Sequence, residues 1–171
     1  MKLFYNQKGF TLVEMILYVA ICSLFLLTLS TFLTFLLGAR IRSQAITEVN
    51  QQGFQVMHAV TSTIRNGRSV EVPALGSSSS TLSITTGIPI LDPTLFYVAS
   101  GTFVTQEGSN QPIPLTNSRI TVTPILFENV SSSSSPDRII RISFTINHTN
   151  QSGRYEYEFT KSFTGSATLR Q

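Results

Sequence analysis

The chain has 171 residues, of which 42% are hydrophobic and 12% charged, and its formal net charge is +3. That length suits one domain plus an extended element, and the lone cysteine, Cys22, excludes an intrachain disulfide. The charge is not a nucleic-acid footprint: Lys2 and Lys8 precede every acidic residue, and from Phe10 onward ten basic residues face nine acidic ones, a balance of +1 with no basic run beyond Arg40-Ile41-Arg42.

The N-terminus is a short basic head ending at Gly9. Residues 10–37 follow, 28 positions in which Glu14 is the only charge. As a helix they would reach about 42 Å at about 1.5 Å per residue. That exceeds the roughly 30 Å hydrocarbon core of a bilayer. A secretory signal has an apolar region about half as long, and Gly38-Ala39 leads directly into Arg40, so a cut there is not expected. An ionised Glu14 inside a membrane would cost roughly 2.5–3.5 kcal/mol. It therefore needs a partner, unless it sits hydrated or protonated near the interface. Cys22 reads as a small apolar helix residue.

Beyond Arg42, Ile46, Val49, Val56, Val60 and Ile64 recur at helical spacing, with Gly53 on the same stripe. The pattern predicts that the helix continues to Asn66-Gly67, where glycine would supply a left-handed cap. Phe54 and Met57 read as packing residues. Residues 76–80, 107–110 and 131–135 then read as loops.

Strands are expected at 70–73, 81–85, 95–98 and 102–104, the last two joined by a Ser100-Gly101 turn. Another covers 120–127, with Pro124 at an edge or bulge. The clearest strand carries Ile140, Ile142, Phe144 and Ile146 on one face. A hairpin over 147–153 would join it to a strand at 154–159, in which Tyr155, Tyr157 and Phe159 alternate. The fold class is α+β: a long N-terminal helix whose amphipathic half packs on an antiparallel β-sheet. The segments are 1–9, 10–37, 38–66 and 67–171.

Lys8-Gly9-Phe10-Thr11-Leu12-Val13-Glu14, with the apolar run behind it, is similar to the class III signal of type IV prepilins and type II secretion pseudopilins. The resemblance implies that a prepilin peptidase on the cytoplasmic side cuts after Gly9 and N-methylates Phe10. It implies that Glu14 is the assembly glutamate, pairing with the amino terminus of Phe10 in a neighbouring subunit. Lys2 and Lys8 oppose Arg40 and Arg42, so charge alone does not orient the segment; the motif places its cleavage site in the cytoplasm. More loosely, Phe96-Tyr97-Val98, Ser100-Gly101-Thr102, Pro114-Leu115-Thr116 and Ile120-Thr121-Val122-Thr123 resemble J-class minor pseudopilins and W-type minor pilins, and Ser166-Ala167-Thr168-Leu169-Arg170 resembles their C-terminal strand. Val104-Thr105-Gln106 stands where those proteins often carry a hairpin arginine.

No catalytic constellation is visible. His58 reads as a solvated helix residue and His148 as a hairpin-loop residue, neither at metal-ligand spacing from another His or Cys. Asp92 and Asp137 adjoin prolines and read as turn residues. No cofactor, metal or enzyme activity is expected.

The resemblance implies a structural subunit, a minor pilin or pseudopilin precursor of a type IV pilus or type II secretion filament. Its partners would be prepilin peptidase, other pilin or pseudopilin subunits, the inner-membrane assembly platform and, before assembly, membrane lipid. It would sit single-pass in the cytoplasmic (inner) membrane, N-terminus inside and C-terminal domain outside, and then enter a filament. The alternative is a filament-borne adhesin or DNA-uptake subunit binding its ligand through loops at 77–80, 107–111 and 131–137. An anchored enzyme is disfavoured by the missing catalytic residues.

Overall fold

A computed structural model of the chain describes residues 9–132, 137–149, 153 and 157–169. They fall into two compact units, Met1–Arg40 and Ile41–Gln171. One helix, α1 (Leu12–Asn66), contributes to both. Among the described residues nine strands follow: β1 (Ser69–Val72), β2 (Ser78–Ser79), β3 (Leu82–Thr85), β4 (Thr94–Ala99), β5 (Thr102–Glu107), β6 (Ile113–Pro114), β7 (Ile120–Asn129), β8 (Arg138–His148) and β9 (Thr160–Leu169).

Within the second unit, α1 buries Ala45, Val49, Gly53, Val56, Val60 and Ile64. These positions advance by three or four residues and so share one face. The stripe begins at Ala45 instead of Ile46, which is half-buried. Burying each Val or Ile contributes about 1.5–3 kcal/mol before entropy is counted. At Gly53 the reason for glycine is proximity: a Cβ there would enter the Phe163 ring on β9. The expected left-handed cap at Gly67 is not found, because its φ is not positive. Gly67 is needed for close approach instead, since a Cβ would lie 2.6 Å from Ile84 Cγ2.

The α+β class holds, but the sheet is two sheets. One has the order β1-β3-β4-β5-β6 and the other β2-β7-β8-β9, with every pairing antiparallel. Alternation shows which side of a strand is buried, not which strand it joins, so the division had no local signal. Phe96 and Phe103 of the first sheet meet Phe144 and Phe163 of the second. Ring centroids lie 6.3 Å apart for Phe96–Phe103, 5.9 Å for Phe103–Phe144 and 5.4 Å for Phe144–Phe163. This aromatic chain and the α1 stripe form one core.

Two sequence signals act as expected. Ser100 (φ 50°) and Gly101 (φ 78°) make the two-residue turn between β4 and β5, the left-handed pair that matches strand twist. Around Pro124 the register of β7 against β8 slips, from Val122↔Ile146 to Ile125↔Phe144. One extra residue changes the parity of the strand. Ile120 and Val122 are therefore buried before the bulge, and Ile125, Phe127 and Asn129 after it.

Other expectations are corrected. Ser78 and Ser79 lie in a strand paired with Glu128 and Phe127, not in a loop. The last strand starts at Thr160, and Tyr157–Phe159 precede it without strand pairing. Arg154, Tyr155, Glu156 and Arg170 lie outside the described residues. His148 closes β8, and its side chain is only 7% exposed. Strand parity turns it inward beside Ile146, whereas a loop would have left it in water. Phe54 is a packing residue as expected, its ring edge-on to Phe163 at 5.8 Å, although it lies at the exposed rim and not in the core.

Candidate functional site

The candidate site is the segment from Gly9 to Tyr18 in the first unit. Gly9 and Phe10 precede α1 and are exposed, and nothing lies within 4 Å of where a Cβ on Gly9 would sit. The scissile peptide expected between them is thus unobstructed by the described residues of the chain.

Thr11 starts the helix. Its carbonyl accepts from Met15 N–H at 3.2 Å, and its Oγ1 accepts from Glu14 N–H at 3.3 Å. This is N-capping by a threonine hydroxyl. Glu14 falls three residues after the cap, as in a Thr-x-x-Glu capping box, where a carboxylate also complements the positive end of the helix dipole. The Thr-x-x-Glu spacing is visible in the sequence.

Tyr18 is the residue that sequence reasoning missed. Its hydroxyl donates to Glu14 Oε1 at 3.4 Å, and its ring stands edge-on to Phe10 at 6.3 Å and 73°. One side chain therefore touches both expected site residues. The signal was the spacing of four between Glu14 and Tyr18, which puts them on one helix face. Glu14 is half-buried by this contact.

Along the rest of this unit, four hydroxyl side chains bond back to the helix carbonyls. Ser23 Oγ donates to Ala20 O at 2.9 Å, Thr28 Oγ1 to Phe25 O at 2.8 Å, Thr31 Oγ1 to Leu27 O at 2.9 Å and Thr34 Oγ1 to Thr31 O at 2.8 Å. Such back-bonding lets hydroxyls sit in lipid without unmet partners. The large apolar side chains of this stretch are exposed, among them Phe25, Leu27, Phe32 and Phe35. Its best 18-residue window has mean hydropathy 2.4, so the helix is long and apolar enough to cross a membrane. Glu14 is the only carboxylate there, and among the described residues no cation pairs with it.

The remaining candidates do not assemble into chemistry. His58 is exposed on α1. Asp92 organises a turn, and no three His, Cys, Asp or Glu side chains are gathered to hold a metal among the described residues. Of the loops considered for ligand contact, residues 133–136 lie outside the described residues.

Residues 5–30 match the model of the prokaryotic N-terminal methylation motif. The chain thus carries the class III signal of type IV pilins and pseudopilins, together with a long N-terminal apolar helix. Comparison with curated proteins and with solved structures returns no match.

Proposed function

We propose that the chain is the precursor of a minor pilin or pseudopilin, a structural subunit and not an enzyme. It is cleaved after Gly9 by prepilin peptidase, N-methylated on Phe10 and assembled with other subunits through its N-terminal helix. Before assembly it is held in the cytoplasmic membrane with its β-rich unit outside.

The observation that carries this reading is the methylation motif over residues 5–30. The arrangement of Glu14 supports it. Its carboxylate, in a membrane-length apolar segment, has a weak internal hydrogen bond from Tyr18 and no cation among the described residues. Cleavage creates a free amino group on Phe10, and in the low dielectric of packed helices a carboxylate attracts such a group strongly. Much of that gain offsets the desolvation of both ions. The net result is register: a neighbour is favoured where the pair closes.

Processing is tested by co-expressing the chain with a prepilin peptidase and following its mass. Wild type should be shortened, while Gly9→Val should remain full length. Equal processing of both would refute Gly9 as the cleavage residue.

A further inference from the structure

In the second unit, a cleft of about 790 Å³ opens beside Glu48, lined also by Gln44, Ser118, Arg119, His148 and Tyr157. Its size lies in the range of about 300–1,000 Å³ typical of small-molecule sites. No part of the assembly reading uses it.

The charges in the cleft balance. Glu48 Oε2 lies 3.5 Å from His148 Nε2 and 3.9 Å from Arg119 Nη1, and Glu48 Oε1 accepts from Asn117 Nδ2 at 2.7 Å. An anion drawn to Arg119 meets the Glu48 carboxylate, and a cation drawn to Glu48 meets the guanidinium. A metal ion would find Glu48 and His148 alone, short of the ligand count that a protein site needs. A wholly apolar ligand would strip water from Gln44, Ser118 and Arg119 without replacing it.

One wall is flat and aromatic: the Tyr157 ring stacks on His148 at 5.9 Å and 18°. A flat wall beside a neutral mixture of donors and acceptors suits a ring with an apolar face and a polar rim. We propose that this cleft binds a neutral saccharide. A pyranose would lay its C–H face on Tyr157, and its hydroxyls would pair with Glu48, Gln44 and Arg119. This inference does not depend on cleavage or assembly.

The test uses the full chain in a detergent without a sugar headgroup. It is screened against an array of neutral oligosaccharides, and the strongest hit is titrated calorimetrically. Saturable binding is expected, insensitive to salt and weakened about tenfold by either Tyr157→Ala or Arg119→Ala. Circular dichroism checks that both variants fold, and His58→Ala, on exposed helix surface, should bind as wild type. The proposal is overturned if no neutral saccharide binds, if only charged glycans bind with a steep salt dependence, or if both folded cleft variants bind as tightly as wild type.

Discussion

Glu48 on α1 accepts a 2.7 Å hydrogen bond from the side chain of Asn117, a residue 69 positions further along the chain. The Asn117 amide is itself oriented, because its Oδ1 accepts from Arg119 N–H at 3.0 Å. Together these bonds tie the helix to the turn that enters β7. Glu48 also faces the largely covered side chain of His148. Glu48→Ala should therefore lower stability by about 1.5–3 kcal/mol, the cost of a lost hydrogen bond to a charged group. Arg119→Ala removes only an exposed, 3.9 Å ion pair, and should cost less than about 0.5 kcal/mol. Urea denaturation of both variants measures the difference.

Gly53→Ala should also destabilise the fold. The added methyl group would enter the Phe163 ring, and overpacking of this kind costs about 1–3 kcal/mol. The double variant Gly53→Ala/Phe163→Leu should recover part of that loss, giving a coupling energy distinct from zero. Purely additive effects in a double-mutant cycle would argue against the contact.

Asp92 gives an acid-range signature. Thr86 Oγ1 donates to its Oδ1 at 2.7 Å, Thr86 N–H to the same oxygen at 2.5 Å and Gly87 N–H to Oδ2 at 2.9 Å. The Thr86 hydroxyl leads these groups in holding the carboxyl below its ordinary value of 3.8. A carboxylate depressed in the fold stabilises above its unfolded pKa, and that contribution is lost as pH falls through the folded value. Asp92→Asn should thus be less stable than wild type at about pH 6, with the gap narrowing by about pH 3. Denaturation midpoints across that range check the sign, and a gap that widens in acid would contradict it.

Glu14→Ala should insert and be cleaved normally, yet fail to enter filaments. Leaving the Phe10 amino group unpaired in a helix bundle costs about 3–5 kcal/mol, enough to cut incorporation more than about tenfold. Glu14→Gln keeps the shape and should show the same defect. Immunoblots of sheared filaments against membranes measure it, and normal incorporation of either variant would remove Glu14 from that role.

Local patterns were legible where neighbours in sequence are neighbours in space. The buried stripe of α1, the Ser100-Gly101 turn, the bulge at Pro124 and the inward face of β8 all follow from spacing within a few residues. The methylation motif over residues 5–30 was legible because it lies within one short contiguous stretch. What the sequence hid is long-range. In Thr160–Leu169 only Phe163, Ala167 and Leu169 are buried, too sparse an alternation to mark the strand by pattern; the likeness of residues 166–170 to a C-terminal strand pointed to its end alone, and pairing with β8 supplies the rest of its order. Ser78 and Ser79 have little strand propensity of their own and are held by β7. The ties from Glu48 to Asn117 and His148 join distant segments, so no local spacing announces them.

The N-terminal mass of the mature chain tests the central claim most directly. Protein isolated from membranes of cells that contain a prepilin peptidase should begin at N-methylated Phe10, in intact-mass and N-terminal peptide spectra. A mature chain that retains Met1, or that begins beyond Leu37, would contradict the account.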